Sequence, residues 1–598
     1  MMNKMGRRFA ILTIFATLTY AYLYPGSQAL MDARTDVVMS DDTDPSTLPY
    51  YYDQLIRTAQ EHPSRLFYGA VYLPVADPQN GIAYWVSWNE RISVLLGSLF
   101  VNTEQLSTFF IGLMMIVSGL SMYALGRSLK WNHWIALGLG IAWAFSAYMR
   151  ARAKVHGGFV GTYHLPLIFL GLNLIIQQRD RRSLIKAGAA FLAASTVGYY
   201  YILTTLFISP FFLAYLAIQK NFSTNWRILG QRLILALIPS LVFLGLSFTF
   251  LLPSDSPMNG RDALPKTGEA QGYDYHPFLN WFAAHPMDYL AGDISLSDDV
   301  SDWNPLREIL NSDIVQNLQE GNTHERTNGI RWIVLALALT ALVAALKSSI
   351  GFRRSTERQA VFFFALLMIF AFWLSLSPES PVTWLSPSFW LHSLFSQIRV
   401  PSRAGIIVHF CALVLSGFAL EWLNQVYPRY KWISPLFAVL VIADYPPFYH
   451  QMPMAQMRAP FRQLQRSEGA CGTGLYFPYV HPNYMSLPYY HFLQTMRGSD
   501  CHFLNALTNP DRVQWMLERF PPSMDFVNRL NQSPTTLLRI KRLAECVPLT
   551  FLVFDPVVPT EWSKAVCSEL GWIWSEGRLC RASDHGHPLQ RYPDECGY

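Results

Sequence analysis

Three groups of residues in this 598-residue chain carry side chains suited to chemistry. The first is Met39-Ser40-Asp41-Asp42-Thr43-Asp44-Pro45, which crowds three carboxylates into four positions just after the first apolar segment. Such a cluster suits a catalytic edge that meets a lipid-borne phosphate and an acceptor. It equally suits a solvated loop or a helix N-cap, where Asp is common. The second group is Arg150, Arg152, Lys154 and His156, directly after the third apolar run. Arg and Lys are the usual donors to phosphate oxygens, and Arg can engage two at once; the alternative is snorkelling to lipid headgroups. The third is Arg399 and Arg403, which bracket Val400-Pro401-Ser402 just before another apolar run. Proline restrains this bend. Two guanidinium groups there could clamp a diphosphate or a lipid-linked phosphate, or pair with loop carboxylates.

A long polar stretch, 253–329, adds Asp255, Arg261, Asp262, Asp274, His276, His285, Asp288 and Asp293. Tyr273-Asp274-Tyr275-His276-Pro277 is its most site-like piece, because aromatics flank an acid and an imidazole. No standard zinc spacing is present, and most of these are expected to be ordinary loop residues. GxxxxGK[ST], GxGxxG after a strand, GxSxG and HExxH are all missing. An enzyme built from this chain must therefore receive an activated substrate rather than cleave a nucleotide at a P-loop.

The composition says what positions these groups. The chain is 51% hydrophobic and 15% charged, against about 25% charged for soluble domains, and its mean hydropathy is +0.17. This predicts a polytopic α-helical membrane protein. Apolar runs lie at about 9–30, 105–126, 133–149, 162–177, 184–201, 203–218, 229–252, 330–347, 359–377, 403–425 and 431–446, giving about eleven spans. The run at 184–218 is read as split at Gly198-Tyr199-Tyr200-Tyr201. Arg127 and Lys130, Arg179 to Lys186, Lys220 and Arg227, Lys347 to Arg358, and Arg429 and Lys431 then fall on one side, as the positive-inside rule asks. The N-terminus is expected in the cytoplasm. Loops 31–104 and 253–329 and the tail 447–598 are expected outside an inner (plasma) membrane, in a bacterial type of envelope. In the first loop, Leu48 to Asp53 and Trp85 to Arg91 are too polar to span and could lie flat at the interface. The net charge of +5 is small and does not imply nucleic acid.

Of seven cysteines, Cys411 lies in an apolar run, whereas Cys471, Cys501, Cys546, Cys567, Cys580 and Cys596 all lie in the tail. Their confinement to one polar region suggests disulfides in an oxidising compartment, the alternative being buried thiols. Short β-rich pieces at Gly474 to Phe477 and Leu549 to Phe554 predict an exported α/β domain, 447–598, after a membrane module, 1–446.

Four local patterns, in order, resemble the GT-C class of membrane glycosyltransferases, in particular its bacterial polyprenyl-phosphate-sugar-dependent group. They are Ser40 to Asp44; Phe145 to Arg150 with His156 and Leu165-Pro166-Leu167; Gln397-Ile398-Arg399-Val400-Pro401-Ser402-Arg403; and Gly474 to Pro478. Lys154 and Gly157-Gly158 are additions around the histidine, and the six tail cysteines are not a feature of the class. The resemblance implies transfer of a sugar from a polyprenyl-phosphate donor to a glycan, lipid or protein acceptor at the outer face, with inversion. It implies Asp42 as general base, with Asp41 and Asp44 as alternates, and Arg150, Arg152, Lys154, His156, Arg399 and Arg403 as groups for the departing phosphate. Asp274 and His276 would belong to an acceptor or donor loop. Adjacent acids could hold a divalent cation such as Mg or Mn, but acid clusters also work without one. Two rival readings stand beside this one. A transporter or flippase would show inverted repeats and mid-bilayer charges, and a non-catalytic envelope assembly protein would tolerate Asp42→Asn.

Overall fold

The computed structural model describes most of residues 4–24, 87–251 and 328–443, residues 283–290, and shorter pieces elsewhere. The described helices are α1 Lys4–Tyr22, α2 Trp88–Gly97, α3 Leu106–Ser128, α4 His133–Ala144, α5 Ala147–Val155, α6 His164–Gln177, α7 Arg181–Ala194, α8 Tyr199–Phe207, α9 Ser209–Gln219 and α10 Trp226–Leu251. They continue with α11 Trp332–Leu346, α12 Ser355–Ser375, α13 Pro387–Leu394, α14 Gly405–Val426, α15 Ile433–Ala443 and α16 Thr560–Glu569. Four stretches, Leu106–Ser128, Trp226–Ser247, Ser355–Ser375 and Pro401–Val426, are long and apolar enough to cross a membrane. A fifth results if Tyr200–Phe207 and Ser209–Gln219, bent by 53°, form one span. Arg8–Tyr22, His164–Gln177, Trp332–Leu346 and Ile433–Ile442 are apolar but shorter than the ~20 residues a hydrocarbon core asks for. The chain is a membrane protein, mostly helical.

α14 is the central helix: 83% of its most apolar window is buried, against 17% for the peripheral α10. α14 packs on α4, α11 and α12, while α10 packs on α7. Helix ends follow local chemistry. α3 closes in a Schellman motif, with Lys130 N donating to Arg127 O and Trp131 N to Gly126 O. The left-handed position, usually glycine, is Lys130 (φ 67°). α4 then starts on Asn132, whose side chain accepts from Trp134 N at 3.0 Å.

The run at 184–218 is split where the tyrosine triplet begins. α7 stops because the Ser195 and Thr196 hydroxyls turn back to the carbonyls of Leu192 and Ala193, and α8 restarts after Gly198. The run at 133–149 differs from expectation. It breaks at Phe145-Ser146, and α5 is a separate short helix carrying Arg150, Arg152 and Lys154. In the first apolar run α1 ends at Tyr22, followed by a turn at Leu23 and Tyr24.

In the tail, a five-stranded sheet has the order β4-β3-β5-β7-β6, with β3 Thr473–Phe477, β4 His502–Phe503, β5 Leu549–Phe554, β6 Ile573–Ser575 and β7 Leu579–Arg581. β3 pairs parallel to β4 and β5, and β7 runs antiparallel to β5 and β6. Cys567 on α16 and Cys580 on β7 form a disulfide. Far upstream in the chain, β1 (Val37–Val38) pairs antiparallel with β2 (Met452–Pro453), which follows α15.

Candidate functional site

Contacts gather the N-termini of α3, α6, α8, α11 and α14 with the C-terminus of α4 at one end of the bundle. That end holds a buried polar layer. Its floor is the turn Pro401–Ala404 between Val400 and α14. Proline suits this first position because its missing N–H would be unpaired there anyway. Three carbonyls of the turn are each tied by a side chain from elsewhere. The Tyr200 hydroxyl donates to Val400 O, Asn328 Nδ2 donates to Ser402 O at 3.2 Å, and the Tyr148 hydroxyl lies 3.4 Å from Arg403 O. Gly405 is required here, since a Cβ would sit 2.1 Å from Asn328 Oδ1.

The turn delivers Arg403, 9% exposed, with its guanidinium 4.0 Å from the Phe159 ring centroid and 5.1 Å from that of Tyr200. α5 delivers Arg152, fully buried, with its guanidinium 5.0 Å from the Tyr148 ring. The two arginines meet around a tyrosine pair. Tyr201 donates to Phe159 O at 2.7 Å, and its oxygen lies 3.0 Å from the Tyr148 hydroxyl. Both arginines lie within electrostatic reach of Tyr201. The His164 ring stacks on Tyr201 at 4.8 Å. His409 Nε2 hydrogen-bonds Asn328 O at 2.9 Å, and its ring lies 6.2 Å from that of Tyr148. Small residues make room for α5, as Ala147, Ala151 and Ala153 are all buried. Cation–π contacts hold both guanidinium groups against these rings.

A second buried polar group, missed in the sequence, lies on α2. Glu90 is buried, and its carboxyl accepts from the Tyr52 hydroxyl at 2.9 Å and from Ser87 Oγ at 3.3 Å. Burial pushes its pKa above the usual carboxylate range, against the two hydroxyl bonds and the neighbouring Arg91. Asn89 N donates to Thr196 O at 2.9 Å, and Asn89 Oδ1 accepts from Glu90 N at 2.9 Å. Thr196 in turn bonds Tyr163, and Gly161 approaches Asn89 so closely that a Cβ would lie 2.3 Å from its Nδ2. Arg91 stacks on Trp88 at 4.6 Å, and Trp88 Nε1 donates to Ser247 Oγ on α10. The helix is inverted relative to a soluble one. Asn89, Glu90 and Ser93 face inward, while Ile92 and Leu96, with Leu99 and Phe100 beyond, face out. An apolar face turned outward fits a helix lying at the bilayer interface.

Of the residues singled out from sequence, Arg152 and Arg403 come together through the tyrosine pair. Arg150 is buried on the same short helix, two positions from Arg152 and so on another face. Lys154 lies on α5. Asp41, Asp42, Asp44, His156, Asp274, His276 and Arg399 lie outside the described residues, as do Cys471, Cys501, Cys546 and Cys596. Among the described residues, no three His, Cys, Asp or Glu side chains converge as a metal-ligand set. The sequence signal for Glu90 was present but ambiguous, since Tyr52 is 38 positions away.

No protein-family model matches the sequence, and no curated protein matches it. In fold, the chain is similar to a mutant of arabinofuranosyltransferase AftD from Mycobacteria, with 13% identity and a TM-score of 0.47 over 92% of this chain and 37% of that one. It is also similar to the oligosaccharyltransferase of Archaeoglobus fulgidus in the apo form, with 13% identity and a TM-score of 0.45 over 97% of this chain and 75% of that one. The Archaeoglobus fulgidus enzyme AglB, in complex with an inhibitory peptide and a dolichol-phosphate, gives 13% identity and a TM-score of 0.44. These neighbours are GT-C glycosyltransferases. The chain spans a little over a third of AftD's length, and likenesses of this grade carry no inference about activity.

Proposed function

We propose that this protein is a membrane glycosyltransferase that moves a sugar from a polyprenyl-phosphate donor to a glycan, lipid or protein acceptor at the extracytoplasmic face, with inversion. The observation that supports this reading is a buried layer at one end of the bundle in which Arg152 lies over Tyr148, Arg403 lies over Phe159 and Tyr200, and both arginines are within electrostatic reach of Tyr201. Such rigid cations suit the charge that develops on a departing lipid phosphate. Asp42, with Asp41 and Asp44 as alternates, takes the acceptor's proton as the new bond forms. Arg150, Lys154, His156 and Arg399 are further candidates to meet the departing phosphate. Asp274 and His276 contact donor or acceptor from the second long loop. If a divalent cation takes part, the acids at 41–44 are its ligands. The opposite end of the bundle carries Arg127, Lys130, Arg181, Arg182 and Lys431, which supports that end as cytoplasmic.

The test is incubation of the purified protein with a panel of polyprenyl-phosphate sugars. The outcome expected is release of polyprenyl phosphate with one of them, and a glycosidic product of opposite anomeric configuration by NMR. A product that retains configuration, or movement of intact donor across vesicles without bond cleavage, would overturn the reading.

A further inference from the structure

A groove at this end of the bundle lies apart from the rings that hold Arg152 and Arg403. It runs between α4 and α11, both of which pack on α14. Ser146 and Ala147, at the break between α4 and α5, form one wall. Arg331 and Val334, at the start of α11, form the other, and His409 and Leu413 of α14 form the floor. The groove is partly open, and its floor admits a group the size of one water molecule or one phosphate oxygen.

Positive potential converges there. Arg331 is the N-cap of α11, and no side chain caps that terminus. The N–H groups of the first turn have no partner inside the helix, and they carry the positive end of its dipole. For the helix alone a cation is the wrong residue at this position, where Ser, Thr, Asp or Asn is preferred. The Arg331 guanidinium lies within electrostatic reach of His409, so its charge is felt at the floor. His409 Nε2 is committed to Asn328 O at 2.9 Å. Ser146 Oγ accepts from Met149 N at 3.3 Å, which leaves its O–H to donate. None of the lining residues is acidic.

The surroundings say which anion is at hand. Leu339, Val343 and Leu346 are exposed along α11, as is Trp332 beside Arg331. An apolar helix ending in an exposed Trp and a half-buried Arg suits a position in lipid with that end at the headgroup level. Phosphate is the anion supplied at that depth, and basic grooves between membrane helices recognise anionic headgroups. We propose that the groove between α4 and α11 binds the phosphate of an anionic bilayer lipid, with Arg331, the Ser146 hydroxyl and the first turn of α11 as donors. The site is independent of sugar transfer and does not need the transferase reading.

The test uses full-length protein from nanodiscs made of phosphatidylcholine and phosphatidylglycerol in equal parts. Native mass spectrometry identifies the lipid retained, and the thermal midpoint in neutral detergent, titrated with short-chain phosphatidylglycerol, gives the affinity. Wild type should retain phosphatidylglycerol in preference to phosphatidylcholine. Arg331→Gln should weaken phosphatidylglycerol binding about ten-fold, the low end for a charge-assisted hydrogen bond, and Arg331→Lys should restore most of it by keeping the charge. Ser146→Ala removes one hydroxyl and should weaken binding about three-fold; it carries the test if Arg331→Gln does not melt cooperatively. Equal retention of the two lipids, or an affinity for phosphatidylglycerol unchanged in the folded variants, would overturn the proposal. Inorganic phosphate that raises the wild-type midpoint as far as phosphatidylglycerol does, and fails to do so in Arg331→Gln, would overturn the lipid as occupant and assign the groove to the free anion.

Discussion

Arg403→Lys separates a phosphate-binding arginine from a merely structural one. Lysine keeps the charge at this position but loses the planar fork. In the structure that plane is held 4.0 Å from Phe159 and 5.1 Å from Tyr200, on a turn whose carbonyls are tied at Val400 and Ser402. A flexible ammonium has no such orientation. Loss of one well-aligned, charge-assisted hydrogen bond to the leaving phosphate should cost about 1.5–3 kcal/mol in the transition state. At 1.36 kcal/mol per decade, that is a fall of roughly 10- to 150-fold in kcat/KM. Weakened stacking should also cost about 0.5–2 kcal/mol of stability, so the assay is run well below the variant's thermal midpoint. Release of polyprenyl phosphate is the readout for turnover, and intrinsic fluorescence on heating is the readout for folding. A folded Arg403→Lys protein with kcat/KM within two-fold of wild type would refute the reasoning and leave Arg403 as a packing element.

Three further outcomes are expected. Lys130→Gly should stabilise the protein by about 1 kcal/mol, because Lys130 occupies the left-handed position of the α3 terminus (φ 67°), where a side chain is strained; a lowered thermal midpoint would count against the motif. Glu90 has a folded-state pKa raised by burial, so its contribution to stability is present below the unfolded carboxylate value and is lost as pH rises through the folded one; as pH rises above the ordinary carboxylate range the thermal midpoint should fall more in wild type than in Glu90→Gln, and equal slopes would contradict this. Cys567→Ser should destabilise the tail by about 3 kcal/mol, the loop-closure figure for a bridge between residues 13 apart, seen as protease cleavage of the tail in the variant at concentrations that leave wild type intact.

Much of the membrane part was legible because long apolar runs leave few choices. The runs ending in α3, α12 and α14 are helices close to the expected bounds. The break before the tyrosine triplet could be read from Gly198 and the serine-threonine pair ahead of it. The break at Phe145-Ser146 could not. Neither Pro nor Gly marks it, and Ile141 to Met149 reads as one apolar stretch. Tertiary packing of α5 decides it. Burial of Arg152 was likewise hidden, because the groups around it come from distant segments, Tyr201 53 positions from Tyr148 and Arg403 255 positions from it. α2 misleads for a different reason. Polar residues on one face normally mean solvent, but here the outward medium favours Ile92 and Leu96, so Asn89 and Glu90 turn inward.

The most direct measurement on the central claim compares wild type with Asp42→Asn in single-turnover release of polyprenyl phosphate, at matched thermal midpoints. Removal of the base should slow release by about 10²- to 10⁴-fold with donor binding retained. An Asp42→Asn protein that releases the lipid phosphate at the wild-type rate would contradict the account.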